Sequence, residues 1–268
     1  MDWFQIILLA LIQGLTEFLP VSSSAHLILP SQLLNWEDQG LAFDVGVHIG
    51  SLAAVMLYFR KDIWSMLKAW LVTCTGRSAG ADGKLAWLVI LATLPAVIAG
   101  LMLSSVVDTY GRSILVIAGT TLIFGGLLWW ADRNRTEQRQ LTDITLKDAL
   151  YIGFSQAIAL IPGTSRSGIT MTTGLMLGFD RQSSARFSFL LSIPVILGAG
   201  VFKGMDLLET GTADQWEMIL AGTVLSAISA LSCIHLFLKW LDRIGMGPFV
   251  IYRMILGVTL LAVYFATA

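Results

Sequence analysis

The chain has 268 residues, 56% of them apolar and only 13% charged, with a formal net charge of −1 and a mean hydropathy of +0.75. Soluble domains are nearer a quarter charged, so this composition excludes a soluble globular protein and specifies an integral membrane one. The near-zero net charge says nothing about nucleic acid, and no basic-aromatic patch points to it, so no nucleic-acid partner is expected.

In chain order, the first apolar segment starts at Met1-Asp2-Trp3, which lacks the basic n-region of a signal peptide and is therefore expected to be retained. It runs from about residue 3 through Gln13, Gly14, Thr16 and Glu17 to Pro20, followed by Val21-Ser22-Ser23-Ser24-Ala25-His26. Pro20 cannot donate to a helix ladder and biases Leu19 out of the α region, so a first helix should stop there. Ser22 or Ser23 is the natural N-cap of a second helix reaching about Leu34. Helix, break, helix, with polar chemistry at the break, makes an anion-attracting apex if buried in a membrane.

Further apolar segments run about 43–59, 85–107 and 113–130. A polar connector, 131–148, reads as a linker only. A second break then repeats the plan: 149–161 is apolar, Pro162-Gly163-Thr164-Ser165-Arg166-Ser167-Gly168-Ile169-Thr170 carries hydroxyls and a guanidinium, and 166–179 is apolar again. Aligning Pro20 on Pro162 sets Ser22, Ser23 and Ser24 against Thr164, Ser165 and Arg166, with Gln13 and Gln156 one residue out of register. Apolar segments 187–203, 217–238 and 248–266 complete the chain.

A membrane span takes roughly 17–25 residues. Segments 21–34, 149–161 and 166–179 are too short, and make sense as arms of two re-entrant hairpins, 3–34 and 149–179. The expected fold is an all-α integral membrane protein with six full spans and two re-entrant hairpins. Its organisation is a first inverted-topology repeat, 1–130, the cytoplasmic linker, 131–148, and a second repeat, 149–268. Loops 60–84, 131–148, 180–186 and 239–247 then share one face and carry 13 of the 17 lysines and arginines. The opposite face has Arg112 and Lys203 against Asp206, Glu209, Asp214 and Glu217. The positive-inside rule puts the basic face in the cytoplasm, with segment 204–216 outside. Proteins of this plan place their site where discontinuous helices meet near the midplane.

Glu17 lies four residues after Gln13, on one helix face. Arg166 costs about 2.5–3.5 kcal/mol at a helix centre on insertion scales, so it needs a counter-charge. Its sequence neighbours are hydroxyls, which points to an anionic substrate, and its planar fork suits phosphate. Ser23 stands out among the serines because His26 is three residues on, and a hydroxyl with an imidazole in reach is the minimal activated nucleophile. Asp44 and His48 share a face and border the cavity on a minority reading; otherwise His48 and His235 are structural histidines. Arg253 is expected in an intramembrane pair. Trp3, Trp36, Trp64, Trp129 and Trp130 sit at span ends as interfacial anchors, and Cys74 and Cys233 read as unpaired thiols.

The two stretches from Gln13 to His26 and from Pro162 to Thr170 resemble the signature motifs of the bacterial undecaprenyl pyrophosphate phosphatase family, and length and motif spacing agree. The resemblance implies hydrolysis of undecaprenyl pyrophosphate to undecaprenyl phosphate and inorganic phosphate, recycling of the lipid carrier of peptidoglycan synthesis, and bacitracin resistance. It implies Ser23 as nucleophile, His26 as general acid/base, and Glu17 and Arg166 in metal or phosphate handling. Ser22, Ser24, Thr164, Ser165, Ser167 and Thr170 would join Arg166 around the phosphates. A divalent cation, Mg²⁺ or else Ca²⁺, is implied with Glu17 as ligand; Gln13 stands where the family often has glutamate, and an amide is a poorer ligand. The expected partners are the lipid pyrophosphate and the bilayer, with a homodimer as candidate assembly. The expected place is the bacterial inner membrane, with the site open to the periplasmic side. The competing class is a transporter or flippase of lipid phosphate, since inverted repeats with broken helices are transporter architecture.

Overall fold

The computed structural model describes residues 1–34, 36–78, 80–111, 113–136, 139–210 and 213–267, with the side chains of 41, 104–110, 202–210, 213–215 and 267 left undescribed. Arg112 and Gln138, and the side chains of Lys203, Asp206, Glu209 and Asp214, lie outside the described residues. The helices are α1 (Trp3–Thr16), α2 (Ser23–Leu33), α3 (Gly40–Tyr58), α4 (Arg60–Cys74), α5 (Gly80–Tyr110), α6 (Ile114–Arg133), α7 (Leu146–Ile158), α8 (Arg166–Met176), α9 (Arg181–Thr210), α10 (Ala213–Ile244) and α11 (Gly247–Thr267). Among the described residues the only β-type pairing is an isolated bridge between Arg139 and Phe179.

Among the described residues five helices are long and apolar enough to cross a membrane: Gly80–Leu103, Ile114–Arg133, Arg181–Val201, Trp216–Ile244 and Gly247–Ala266. A sixth is obtained only if Ala42–Tyr58 and Arg60–Cys74, bent by 80°, are one broken span. The chain is therefore a multi-pass membrane protein. Residues 60–74, expected as loop, form α4. This helix is amphipathic, with Trp64, Leu67 and Leu71 exposed beside Lys61 and Lys68, and Lys68 Nζ lies 5.0 Å from the Trp64 ring centre. Its low mean hydropathy hid it from a search for apolar runs, yet an apolar face beside basic residues is what an interfacial helix presents.

Local chemistry sets the helix ends. Asp2 caps α1 in a reciprocal box with Gln5, and Thr145 caps α7 in another with Asp148. In the body of the fold, α1 and α3 pack on α10, α7 on α5, α6 on α11 and α3 on α9. Small residues let α3 and α10 touch backbone to backbone: a Cβ on Gly50 would sit 2.2 Å from Thr223 O. Thr223 Oγ1 donates to Gly46 O at 2.9 Å and Ser226 Oγ to Val47 O at 2.7 Å across the same seam. Between membrane helices, where lipid tails are as apolar as leucine, close approach and hydroxyl bonds are what hold the contact.

The connector 131–148 does more than link. Arg139 reaches Asp148 with Nη1 at 3.0 Å and Nη2 at 2.5 Å, donates to Leu177 O at 2.9 Å, and lies 4.3 Å over Phe179. It ties the start of α7 to the end of α8, closing the hairpin at its base. Burial alone would raise the Asp148 carboxyl, but the bonds from Arg139 and Thr145 outweigh it and hold the group below its ordinary value of 3.8. The pair's contribution is thus present above that value and is lost as pH falls through the lowered folded-state value. Arg139→Ala should destabilise the purified protein by about 1–3 kcal/mol at pH 7. Thermal unfolding in detergent reads this; an unchanged midpoint would mean the linker is passive.

Candidate active site

The two breaks share a backbone device. Ser22 has φ +74° and Ser165 φ +71°, and they are the two non-glycine residues with positive φ among those described. Each immediately precedes its helix, α2 or α8. A β-carbon in this region costs on the order of 1–3 kcal/mol and persists where surroundings enforce it. Superposing these serines corrects the expected register by one residue. Ser22 answers Ser165, Ser24 answers Ser167, Gln13 answers Gln156, and Ser23 answers Arg166. Both serine pairs make the same contact, Ser22 Oγ to Ser24 Oγ and Ser165 Oγ to Ser167 Oγ, each at 3.2 Å. Pro20 then answers Gly163, where φ is +88° and a Cβ would lie 2.2 Å from Thr120 Oγ1. Of the two caps only Ser165 works through its side chain, accepting from Gly168 N at 3.1 Å; Ser22 makes no such bond.

The breaks meet at Glu17, which is buried at the end of α1. Arg166 Nη2 donates to its Oε1 at 2.8 Å, while Ser23 Oγ and Gln13 Nε2 donate to Oε2 at 2.7 and 2.9 Å. Arg166 therefore has a carboxylate partner, contrary to the expectation drawn from its sequence neighbours, and its Nη1 donates to Ser188 O at 3.2 Å. A buried ion pair needs such supporting bonds, since desolvation of the two charges otherwise exceeds their attraction. Glu17, Ser23 and Arg166 line a cavity of about 390 Å³ together with Ser22, Ser24 and Ser165. The remaining wall is largely apolar, including Leu27, Ile28, Val195 and Ile196.

Other expected site residues lie elsewhere. His26 does not meet Ser23: its Nδ1 is 2.7 Å from Ser22 O and its Nε2 2.5 Å from Tyr252 OH. Spacing of three residues put it on the same helix but not on the cavity wall. Thr164 is buried with Oγ1 lacking a protein partner; Ser167 donates to Leu19 O at 2.7 Å; Thr170 donates to Arg166 O at 2.8 Å and contacts Ser188 Oγ. These three stand behind the cavity and support its wall. His235 is exposed, 6.3 Å from the Tyr58 ring. Among the described residues Arg253 has no ion pair of the expected kind; its bonds go to backbone carbonyls.

The histidine at the cavity is His48, with Asp44 beside it. Its Nδ1 is 2.7 Å from Asp44 O, and its Nε2 faces Glu17 Oε2 at 3.7 Å. The sequence carried a weak signal for it, the i, i+4 pair Asp44/His48 on an otherwise apolar span.

The family profile described as "Bacitracin resistance protein BacA" matches residues 6–259. The chain belongs to the BacA family. Curated relatives named undecaprenyl-diphosphatase cover nearly all of it. One from Chromohalobacter salexigens is 60% identical over 261 residues, 97% of this chain and 98% of the relative. Others from Hahella chejuensis and Alteromonas mediterranea are 61% and 57% identical, covering 97% and 99% of this chain and 98% and 100% of theirs. In this BacA-family chain, no group of three or more His, Cys, Asp or Glu that would hold a metal occurs among the described residues. The donor set fits a cation carried mainly by substrate. Glu17 offers one carboxylate, and the buried Gln13 Oε1 has no protein partner and would face Glu17 if the amide turned over. Mg²⁺ keeps several waters and commonly takes one or two carboxylates plus phosphate oxygens.

Proposed function

We propose that this BacA-family chain is an undecaprenyl-diphosphatase, releasing inorganic phosphate from the lipid pyrophosphate and returning the monophosphate carrier to peptidoglycan synthesis, and thereby conferring bacitracin resistance. The observation that carries the mechanism is Ser23 Oγ at 2.7 Å from Glu17 Oε2, with Arg166 bound to the other carboxylate oxygen. A hydroxyl already bonded to a carboxylate has its proton acceptor in place. Arg166 and the hydroxyls of Ser22, Ser24 and Ser165 surround the terminal phosphate. Ser23 Oγ attacks the terminal phosphorus as its proton passes to Glu17 Oε2, and the bond to the bridging oxygen breaks. The bridging oxygen keeps the electron pair and leaves with the prenyl phosphate. Water then attacks the phosphoserine phosphorus as the bond to Ser23 Oγ breaks; the serine oxygen recovers its proton from Glu17, and the water's protons stay on the inorganic phosphate that departs. His48 Nε2 stands where a proton can pass between Glu17 and the cavity. Arg166 supplies fixed positive charge for the equatorial oxygens. Glu17, with Gln13, would hold a divalent cation, which neutralises charge on the phosphates. The apolar wall of Leu27, Ile28, Val195 and Ile196 suits the first units of the prenyl chain.

The hydrolysis assay in detergent tests this reading, because transport cannot be scored there. A flippase would leave the pyrophosphate intact.

Two inverted repeats, each a re-entrant hairpin followed by three spans, fit the matched serines and the paired packing of α1 on α10 and α7 on α5. We place the basic face in the cytoplasm of the inner membrane and the cavity toward the periplasm. Cys74 is exposed and Cys233 buried. In spheroplasts an impermeant thiol reagent should spare wild-type Cys74 and label Glu217→Cys in a Cys74→Ser background. The reverse pattern would invert the topology.

A further inference from the structure

We infer that Tyr252 and Arg253, consecutive residues of α11, are positioning residues that hold the two helix breaks in register and so set the contact between Ser23, Glu17 and Arg166. The inference rests on the hydrolase reading and deepens it. Neither residue lines the cavity.

Arg253 is fully buried on an apolar helix, about two turns from its start. Its guanidinium donates to five backbone carbonyls. Nη1 reaches Pro20 O at 3.2 Å and Thr164 O at 3.0 Å; Nη2 reaches Gly163 O at 2.9 Å and Thr120 O at 3.4 Å; Nε reaches Thr121 O at 3.1 Å. Pro20 and Gly163 are equivalent residues in the corrected register, each two positions ahead of its strained serine. One side chain thus binds the same carbonyl in both breaks. A guanidinium has five N–H donors in a fixed plane, whereas an ammonium has three on a flexible stem, so lysine cannot reproduce the grip. The second break is also held from α6, where Thr120 Oγ1 donates to Pro162 O at 2.7 Å.

Tyr252 acts on the first break through His26. A carbonyl only accepts, so the ring nitrogen 2.7 Å from Ser22 O carries the proton. In the neutral ring Nε2 is then an acceptor, and the Tyr252 hydroxyl 2.5 Å away is its donor. The rings are stacked, with centroids 5.6 Å apart and planes 14° from parallel. The bond matters because, among the described residues, Ser22 O is otherwise held only by His26 N, at a long 3.4 Å. That carbonyl belongs to the peptide leading into Ser23. Holding it fixes the direction of the Ser23 side chain toward Glu17.

Misplacement of a reacting group by about 1 Å can cost on the order of 10²-fold in rate without comparable loss of binding. In hydrolysis of undecaprenyl pyrophosphate by the purified full chain, Arg253→Lys should lower kcat about 10–100-fold, and Tyr252→Phe about tenfold. KM should move less than about threefold in both, the sign of an interaction made in the transition state. Tyr252→Phe removes one partly exposed hydroxyl and should leave the thermal midpoint unchanged, so it decides the matter if Arg253→Lys fails to fold. Wild-type kcat in Tyr252→Phe, or a raised KM at constant kcat in either variant, would overturn the positioning role. An inactive wild type would instead sink the hydrolase reading on which it rests.

Discussion

Arg166→Lys should lower turnover on the order of 10²–10³, the loss seen when a preorganised donor to a developing oxyanion is removed. The reason lies in the fork. Nη2 is bonded to Glu17 Oε1 at 2.8 Å and Nη1 to Ser188 O at 3.2 Å, which fixes the guanidinium plane at the cavity wall. Lysine keeps the charge but has neither the plane nor the second anchor, so its ammonium follows the carboxylate and leaves the phosphate oxygens without a directed donor. Arg166→Ala is a different experiment. It strands the buried Glu17 without its counter-charge, and removing one partner of a buried pair costs about 3–5 kcal/mol. Its effect would mix instability with lost chemistry. The lysine variant is therefore the informative one, read as kcat and KM in detergent beside a thermal midpoint. Near-normal kcat in it would reduce Arg166 to diffuse positive charge.

Ser23→Ala should abolish turnover while lipid pyrophosphate still binds. Ser22→Ala and Ser24→Ala should keep measurable turnover. All three hydroxyls lie at the cavity, but only Ser23 donates to Glu17; Ser22 and Ser24 bond each other at 3.2 Å. Loss of a nucleophile removes a covalent route, whereas loss of a neighbouring hydroxyl removes one contact of a type worth about 0.5–1.5 kcal/mol, roughly a tenfold effect at most. Binding measured separately distinguishes the two cases. Substantial hydrolysis by Ser23→Ala would shift the attack to water, with Glu17 or His48 as base.

The sequence makes some of this site legible and conceals the rest for definable reasons. Glu17 and Arg166 stand out because ionisable groups in apolar sequence are costly, so each demanded a reason to be there. That they satisfy each other is hidden by a separation of 149 positions along the chain, and by the local view in which Arg166 sees only hydroxyls. The i, i+3 spacing of Ser23 and His26 gave a shared helix face, but could not say that the imidazole turns back to Ser22 O and onto α11. His48 took the place at the cavity, and its signal in the sequence is only the i, i+4 pair with Asp44 on an otherwise apolar span. Aligning the two breaks on Pro20 and Pro162 is one residue out, because what the breaks share is the strained serine and not the proline. Helix α4 escapes the sequence because amphipathic sequence scores as loop when spans are sought by apolarity, and the partners of Arg253 escape it because backbone carbonyls leave no trace there.

The most direct test is phosphate release from undecaprenyl pyrophosphate by purified wild-type protein and Ser23→Ala in detergent, followed side by side at matched folded concentration. Wild type should release one inorganic phosphate and leave one lipid monophosphate per substrate. Ser23→Ala should release none above background at equal lipid binding. Intact lipid pyrophosphate after incubation with folded, lipid-binding wild type would contradict the hydrolase reading and leave a carrier of lipid phosphate in its place.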